Sequence, residues 1–159
     1  MNTLVFLLAL IAALGSGLIA GVFFAFSAFV MKALDRLPAD QGTAAMQSIN
    51  IVVLNRWFLG AFLGTAVLAA LALVASITMW QRPEAAYLLA GGALYLAGCF
   101  FVTIAFNVPR NNALAALSAQ DPANAAAWSR YVLEWTRWNH VRTAASLAAA
   151  LCFSLALAA

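Results

Sequence analysis

Four long stretches of this sequence carry no charged side chain: residues 4–30, 57–81, 85–106 and 143–159. An α-helix rises about 1.5 Å per residue, so roughly 20 residues cross a hydrocarbon layer of about 30 Å. The first three stretches reach that length, and the fourth falls just short with 17 residues. A soluble domain cannot hide blocks of this kind, because it keeps a large surface that needs polar cover. Hydrophobic residues are 66% of the 159 and charged residues 8%, which leaves too little polar side chain for that cover. The predicted fold class is therefore all-α, a bundle of four transmembrane helices with lipid as its main solvent.

The connections between the stretches are uneven. The second and third are joined by the short turn Gln81-Arg82-Pro83-Glu84, where Pro83 suits a first helical position. Residues 31–56 and 107–142 form two much longer connections, and an even number of crossings puts both on one membrane face. That face holds Lys32, Arg36, Arg56, Arg110, Arg130, Arg137 and Arg142, whereas the opposite face has Arg82 alone. The bias predicts cytoplasmic long loops and both termini outside. The first stretch lacks a basic n-region and exceeds the usual length of a secretory signal, so a retained helix is expected. The membrane is expected to be a bacterial inner membrane.

Both long loops read as partly helical. Residues 39–51 follow Pro38 and carry Ala45, Ile49 and Val52 on one helical face, as an interfacial helix would. In the second loop Asp121-Pro122 reads as an N-cap followed by proline at the first helical position. No breaker follows, so one helix can run to the end of the sequence. A single integral membrane domain, 1–159, is predicted, with helices at about 4–30, 57–80, 85–106 and 122–158. The membrane part of the last is about 140–158. Val108-Pro109 is expected to end the third helix, because proline lacks an N–H and disfavours helix at the residue before it. Ala13, Gly17, Gly21 and Ala25 recur every four residues, as do Gly60 and Gly64, a spacing expected at close helix contacts.

Several function classes are excluded. The formal net charge of +3 comes from eight basic and five acidic residues with a single lysine, so no basic face suits nucleic acid. Cys99 and Cys152 lie in apolar stretches, as buried small residues do. One histidine rules out bis-histidine haem ligation, no metal site is expected, and phosphate loops and hydrolase triads are absent. The uncharged spans argue against an ion pump. The expected partners are the lipid bilayer, a small apolar aromatic ligand and a second copy of the chain.

The chemistry gathers in two motifs, Asn107-Val108-Pro109-Arg110-Asn111-Asn112 and the run from Trp135 to Thr143, WTRWNHVRT. Counting back from the terminal carboxylate puts His140 near the hydrocarbon boundary, at a depth similar to Asn107. Trp135, Asn139, Arg142, Thr143 and Ser146 share one arc of the fourth helix, with Thr136 alongside and His140 at its edge. Polar groups facing lipid are costly, so the arc should turn inward. Trp128, Trp135 and Trp138 also fit an aromatic belt, and Arg137 or Arg142 snorkelling anchors. A purely structural hydrogen-bond network of Asn107, Asn139 and Arg142 is the competing reading, and it predicts that these side chains satisfy one another and leave no cavity.

With these motifs the chain resembles the anthrone oxygenase-like membrane proteins, a family long known as a domain of unknown function. The resemblance rests on GVFFAFS at 21–27, AMQSIN at 45–50, FNVPRN at 106–111 and WTRWNHVRT at 135–143. Arg56 after Asn55 departs from the proline expected there. The resemblance implies a cofactor-independent oxygenase acting on an apolar phenolic or polyketide-like aromatic, since some fungal relatives oxidise anthrones to anthraquinones. Most bacterial relatives have no assigned activity, and the alternative is a non-enzymatic membrane binding or assembly protein. Under the oxygenase reading His140 is the expected base and Arg142 the oxyanion partner. Asn107, Asn111 and Asn139 would orient the substrate, and Trp135 or Trp138 would stack on its ring.

Overall fold

The computed structural model describes residues 2–159, all helix and connecting turn with no strand among them. Five helices result: α1 Thr3–Asp35, α2 Ala39–Val52, α3 Arg56–Thr78, α4 Glu84–Ala115 and α5 Pro122–Ala158. All but α2 are long and apolar enough to cross a membrane. Local chemistry sets the ends. Asn2 caps α1 by accepting from the Val5 N–H at 2.9 Å, and Asn55 caps α3 by accepting from Trp57 and Phe58. Asp121 accepts from the Ala123 N–H beside Pro122, and α5 then runs unbroken for 34 residues from Ala125 to Ala158.

Helix length divides the molecule into two cores. α3 has 23 residues, roughly 35 Å at 1.5 Å per residue, and matches a bilayer. Exposed Trp57 and Trp80 flank it, 76% and 60% accessible, the placement of interfacial anchors. α1, α4 and α5 have 33, 32 and 37 residues, more than a bilayer needs. Their long-loop ends continue past α3 and pack with α2. Inside the bilayer the core is built from alanine, leucine and phenylalanine, with Ala9, Ala12, Ala69, Ala72, Ala149 and Phe153 among its members. Beyond it a smaller cap core joins Met31, Met46, Leu114, Trp128, Tyr131 and Trp135. The two partly helical loops on one face, expected from sequence, are the material of this cap.

Close backbone approach occurs at glycines other than those expected. A Cβ at Gly92 would meet the Ala69 carbonyl at 2.7 Å and Leu73 Cγ at 2.8 Å, and one at Gly98 would strike Ala145. Gly17, Gly21, Gly60 and Gly64 have no such neighbour and are exposed. Gly17 and Gly21 thus point out of the bundle while Ala13 touches the membrane core, and α1 packs mainly through Ala9, Ala12, Ser16, Ile19 and Phe23. Small size permits a close approach on whichever face turns inward, and the spacing alone does not choose that face.

α4 also departs from expectation. It does not end at Val108-Pro109 but continues to Ala115. The turns before the proline are wide π-turns, Leu94–Phe101 and Thr103–Asn107. A π-turn shifts the carbonyl that would collide with the pyrrolidine ring, so the helix accommodates proline without stopping. Arg110 Nη1 donates to the Phe106 carbonyl at 2.8 Å across this junction. A third π-turn, Phe26–Val30, lies in α1 opposite these.

Candidate functional site

At the seam between the two cores lies a cavity of about 280 Å³ to which all five helices contribute. This is close to the low end of the roughly 300–1,000 Å³ typical of small-molecule sites. Its walls are mainly aromatic and aliphatic, with Phe23, Phe26, Phe58, Phe62, Phe100 and Trp135 supplying ring faces. The polar side chains on the wall are Asn50, Thr103, Asn111 and Arg142, with no carboxylate or imidazole. Each π-turn region delivers a wall residue: Phe26 from α1, Phe100 and Thr103 from α4. Such insertions rotate the following side chains, which is why they recur at functional sites.

Arg142 is the charged group of this cavity and is 4% exposed. Its Nη2 donates to Asn139 Oδ1 at 2.7 Å and its Nη1 to Thr103 Oγ1 at 3.3 Å. Its Nε has no hydrogen-bond partner. The guanidinium carbon lies 4.0 Å from the Phe23 ring centroid and 4.9 Å from that of Trp135. The ion pairs among the described residues are Arg82 with Glu84 and Arg110 with Glu134, and neither involves Arg142. Burying a charge costs several kcal/mol; two cation–π contacts, about 2 kcal/mol each when desolvated, and hydrogen bonds to two neutral acceptors offset it without neutralising the charge. A cation held this way, with a free donor and no counter-ion, offers an incoming anion an uncompensated positive charge.

Asn139 fixes the arginine. Its Nδ2 donates to the Phe23 carbonyl at 2.7 Å and to Ser27 Oγ at 2.8 Å, while its Oδ1 receives Arg142. Thr143 donates to the Asn139 carbonyl, which leaves Ser27 as donor in the 3.2 Å Ser27–Thr143 contact. Asn107 is also buried and joins helices, donating from Nδ2 to the Trp135 carbonyl at 3.2 Å. At the cap end of the cavity Asn111 Oδ1 accepts from Trp135 Nε1 at 2.8 Å and from the Tyr131 hydroxyl at 3.0 Å.

The residues singled out from sequence therefore separate into three groups. Arg142, Asn111 and Trp135 share the cavity wall. Asn107 and Asn139 sit behind it as helix-joining groups. His140 and Trp138 are elsewhere. His140 is exposed and borders a different groove, with Lys32, Asp35 and Arg137. Two positions along a helix are about 200° apart, so His140 and Arg142 point to nearly opposite sides of α5. Trp138 stacks flat on Phe106 at 3.6 Å between centroids and pins α5 to α4. Trp128 and Trp135 are buried, 2% and 5% exposed, and do not form a belt. Sequence reasoning missed Thr103 and the phenylalanine wall. Thr103 was a polar residue inside an apolar stretch, a signal that was present. The phenylalanines carried none, because every span is rich in apolar side chains.

A family model described as anthrone oxygenase matches residues 53–152, well over half of the chain. The matched region contains both polar motifs and ends ahead of the last helical turns, while the motifs at 21–27 and 45–50 lie outside it. Neither the curated proteins nor the solved structures contain a match.

Proposed function

The chain belongs to the anthrone oxygenase family, and from that premise we propose that it is a membrane-embedded oxygenase of flat, apolar, phenolic aromatics. The observation that carries the reading is Arg142, a buried guanidinium without a carboxylate partner on the wall of an aromatic cavity. Such a group favours the ionised form of a bound phenol or enol, because an opposite charge nearby in a low-dielectric site stabilises the anion.

The chemistry follows from that stabilisation. An anthrone-type substrate enolises, and its O–H ionises against Arg142. The proton is released to water, because the wall holds no carboxylate or imidazole to take it. The electron-rich ring carbon of the anion then reacts with dioxygen. One oxygen atom stays on that carbon as a carbonyl, and the other departs as water with the remaining methylene hydrogen and a proton taken back from solvent. Arg142 is the anion-binding residue in this scheme, Asn111 and Trp135 orient the ring, and Asn139 and Asn107 are positioning residues. His140 has no part in it.

Oxygen uptake by the purified protein with an anthrone tests this. Turnover above the uncatalysed rate is expected, lost in Arg142→Gln. No uptake, or undiminished uptake by the variant, would contradict the proposal. A helix-locking protein without a ligand is the second reading, favoured by Asn107 and Asn139 bonding to backbone carbonyls of neighbouring helices. We further assign the cap to the cytoplasm of a bacterial inner membrane, with both termini outside, on the basic residues outside the buried Arg142, six on the cap side against Arg82 alone. A C-terminal reporter active only in the cytoplasm should then stay silent.

A further inference from the structure

The cavity has two ends of different character. At the cap end its wall is polar, and Asn50, Asn111, Tyr131 and Trp135 are tied to one another there. Between α3 and α4 the boundary is apolar and half-open: Leu63 is 46% exposed, Ile104 49% and Val108 40%. α3 packs closely on the first part of α4 but leaves it at the Thr103–Asn107 π-turn, so a cleft opens there.

Depth decides what fills that cleft. Arg56, whose guanidinium lies 4.8 Å from the Trp57 ring centroid, and Arg110, paired with Glu134, mark the polar boundary on α3 and α4. Leu63 is seven residues beyond Arg56 and Ile104 six residues before Arg110, each about 10 Å into the hydrocarbon at 1.5 Å per residue. Water is scarce at that depth and acyl chains are abundant.

We propose that the substrate is a bilayer-dissolved hydroxyaromatic with a hydrocarbon substituent, admitted sideways through the cleft between α3 and α4. Its ring reaches Arg142 while the substituent remains between Leu63 and Ile104 in the lipid. The cavity volume of about 280 Å³ accommodates a fused ring system and little else, so any longer substituent must protrude. This inference rests on the proposed anion-binding role of Arg142 for the ring and on the cleft alone for the tail.

The test uses a naphthol bearing an alkyl chain with a terminal diazirine, incorporated in phospholipid nanodiscs with the full-length protein. After photolysis, labelled residues are located by peptide mass spectrometry. Labelling is expected on the α3 and α4 segments around Leu63 and Ile104, reduced about tenfold or more in Arg142→Gln, as loss of a charged hydrogen-bond donor implies. Ile104→Trp and Leu63→Trp, each filling the cleft, should suppress labelling by the tailed probe while a tail-less naphthol still binds. Arg142-dependent labelling on α2 or the 116–121 loop instead would overturn sideways admission and leave the anion site standing. Labelling indifferent to Arg142→Gln would overturn the anion site itself, and tailed-probe binding undiminished in both tryptophan variants would overturn the cleft.

Discussion

The two cores of this protein are built by opposite rules. The membrane core sets alanines between a few large side chains such as Phe62 and Phe153, and its helices come within glycine distance at Gly92 and Gly98. The cap core relies on methionine and large aromatics, with Trp128, Tyr131 and Trp135 at its centre. In lipid no hydrophobic force drives helices together, so packing needs small residues and close backbones. At the cap, water again drives burial, and large side chains contribute about 25 cal/mol per Å² of apolar surface removed. The cavity lies where one rule gives way to the other. There α3 ends, α4 widens through its π-turns, and neither close approach nor bulky filling closes the gap.

The contrast can be broken most severely at Arg142. Arg142→Gln should lower turnover by about 10²–10³, the cost of removing one oxyanion donor, measured as steady-state oxygen uptake. Arg142→Met should melt no lower than the native protein, because it removes an uncompensated buried charge. A marked fall in melting temperature would instead make the arginine a structural element. Next in size is the membrane core. Gly92→Val should destabilise by about 1–3 kcal/mol through overpacking against the Ala69 carbonyl. Gly64→Ala, with open space around it, should stay within about 0.5 kcal/mol. Denaturant titration in detergent distinguishes the two, and equal effects would show that the helix faces are misassigned.

Smaller effects sharpen the seam. Pro109→Ala restores an N–H and removes the ring that the π-turn accommodates. Melting temperature should hold or rise, while turnover falls several-fold as Thr103 rotates away from Arg142. Unchanged turnover would separate the π-turn from function. Smallest of all, His140→Ala should leave oxygen uptake within experimental scatter, since His140 faces the groove with Lys32 and Arg137. A large loss there would reinstate it as the base.

Much of this architecture was legible in the sequence. The uncharged stretches give the four spans, and Asp121-Pro122 gives the start of the long last helix. The 3.6-residue period put Trp135, Asn139, Arg142 and Ser146 on one inward face, and all four are buried. What was illegible has physical causes. Pro109 looks like a terminator because the π-turn that absorbs it depends on tertiary packing rather than on local preference. His140, matched in depth to Asn107 and set at the edge of the polar arc, lies about 200° around the helix from Arg142 and reaches a different groove. The glycines of the small-residue stripe on α1, Gly17 and Gly21, face outward, and only Ala13 reaches the core. Phe23, Phe62 and Phe100 become a cavity wall only when α3 and α4 diverge, which no single span records.

The central claim is that Arg142 makes the cavity an anion site. The direct measurement is the absorbance titration of 2-naphthol bound to the protein in nanodiscs, across pH, for the native chain and Arg142→Gln. In the native protein the bound naphthol should ionise about one to three pH units below its value in water, as a close opposite charge requires, and this should vanish in the variant. A bound naphthol that ionises at or above its value in water in the native protein would contradict the claim.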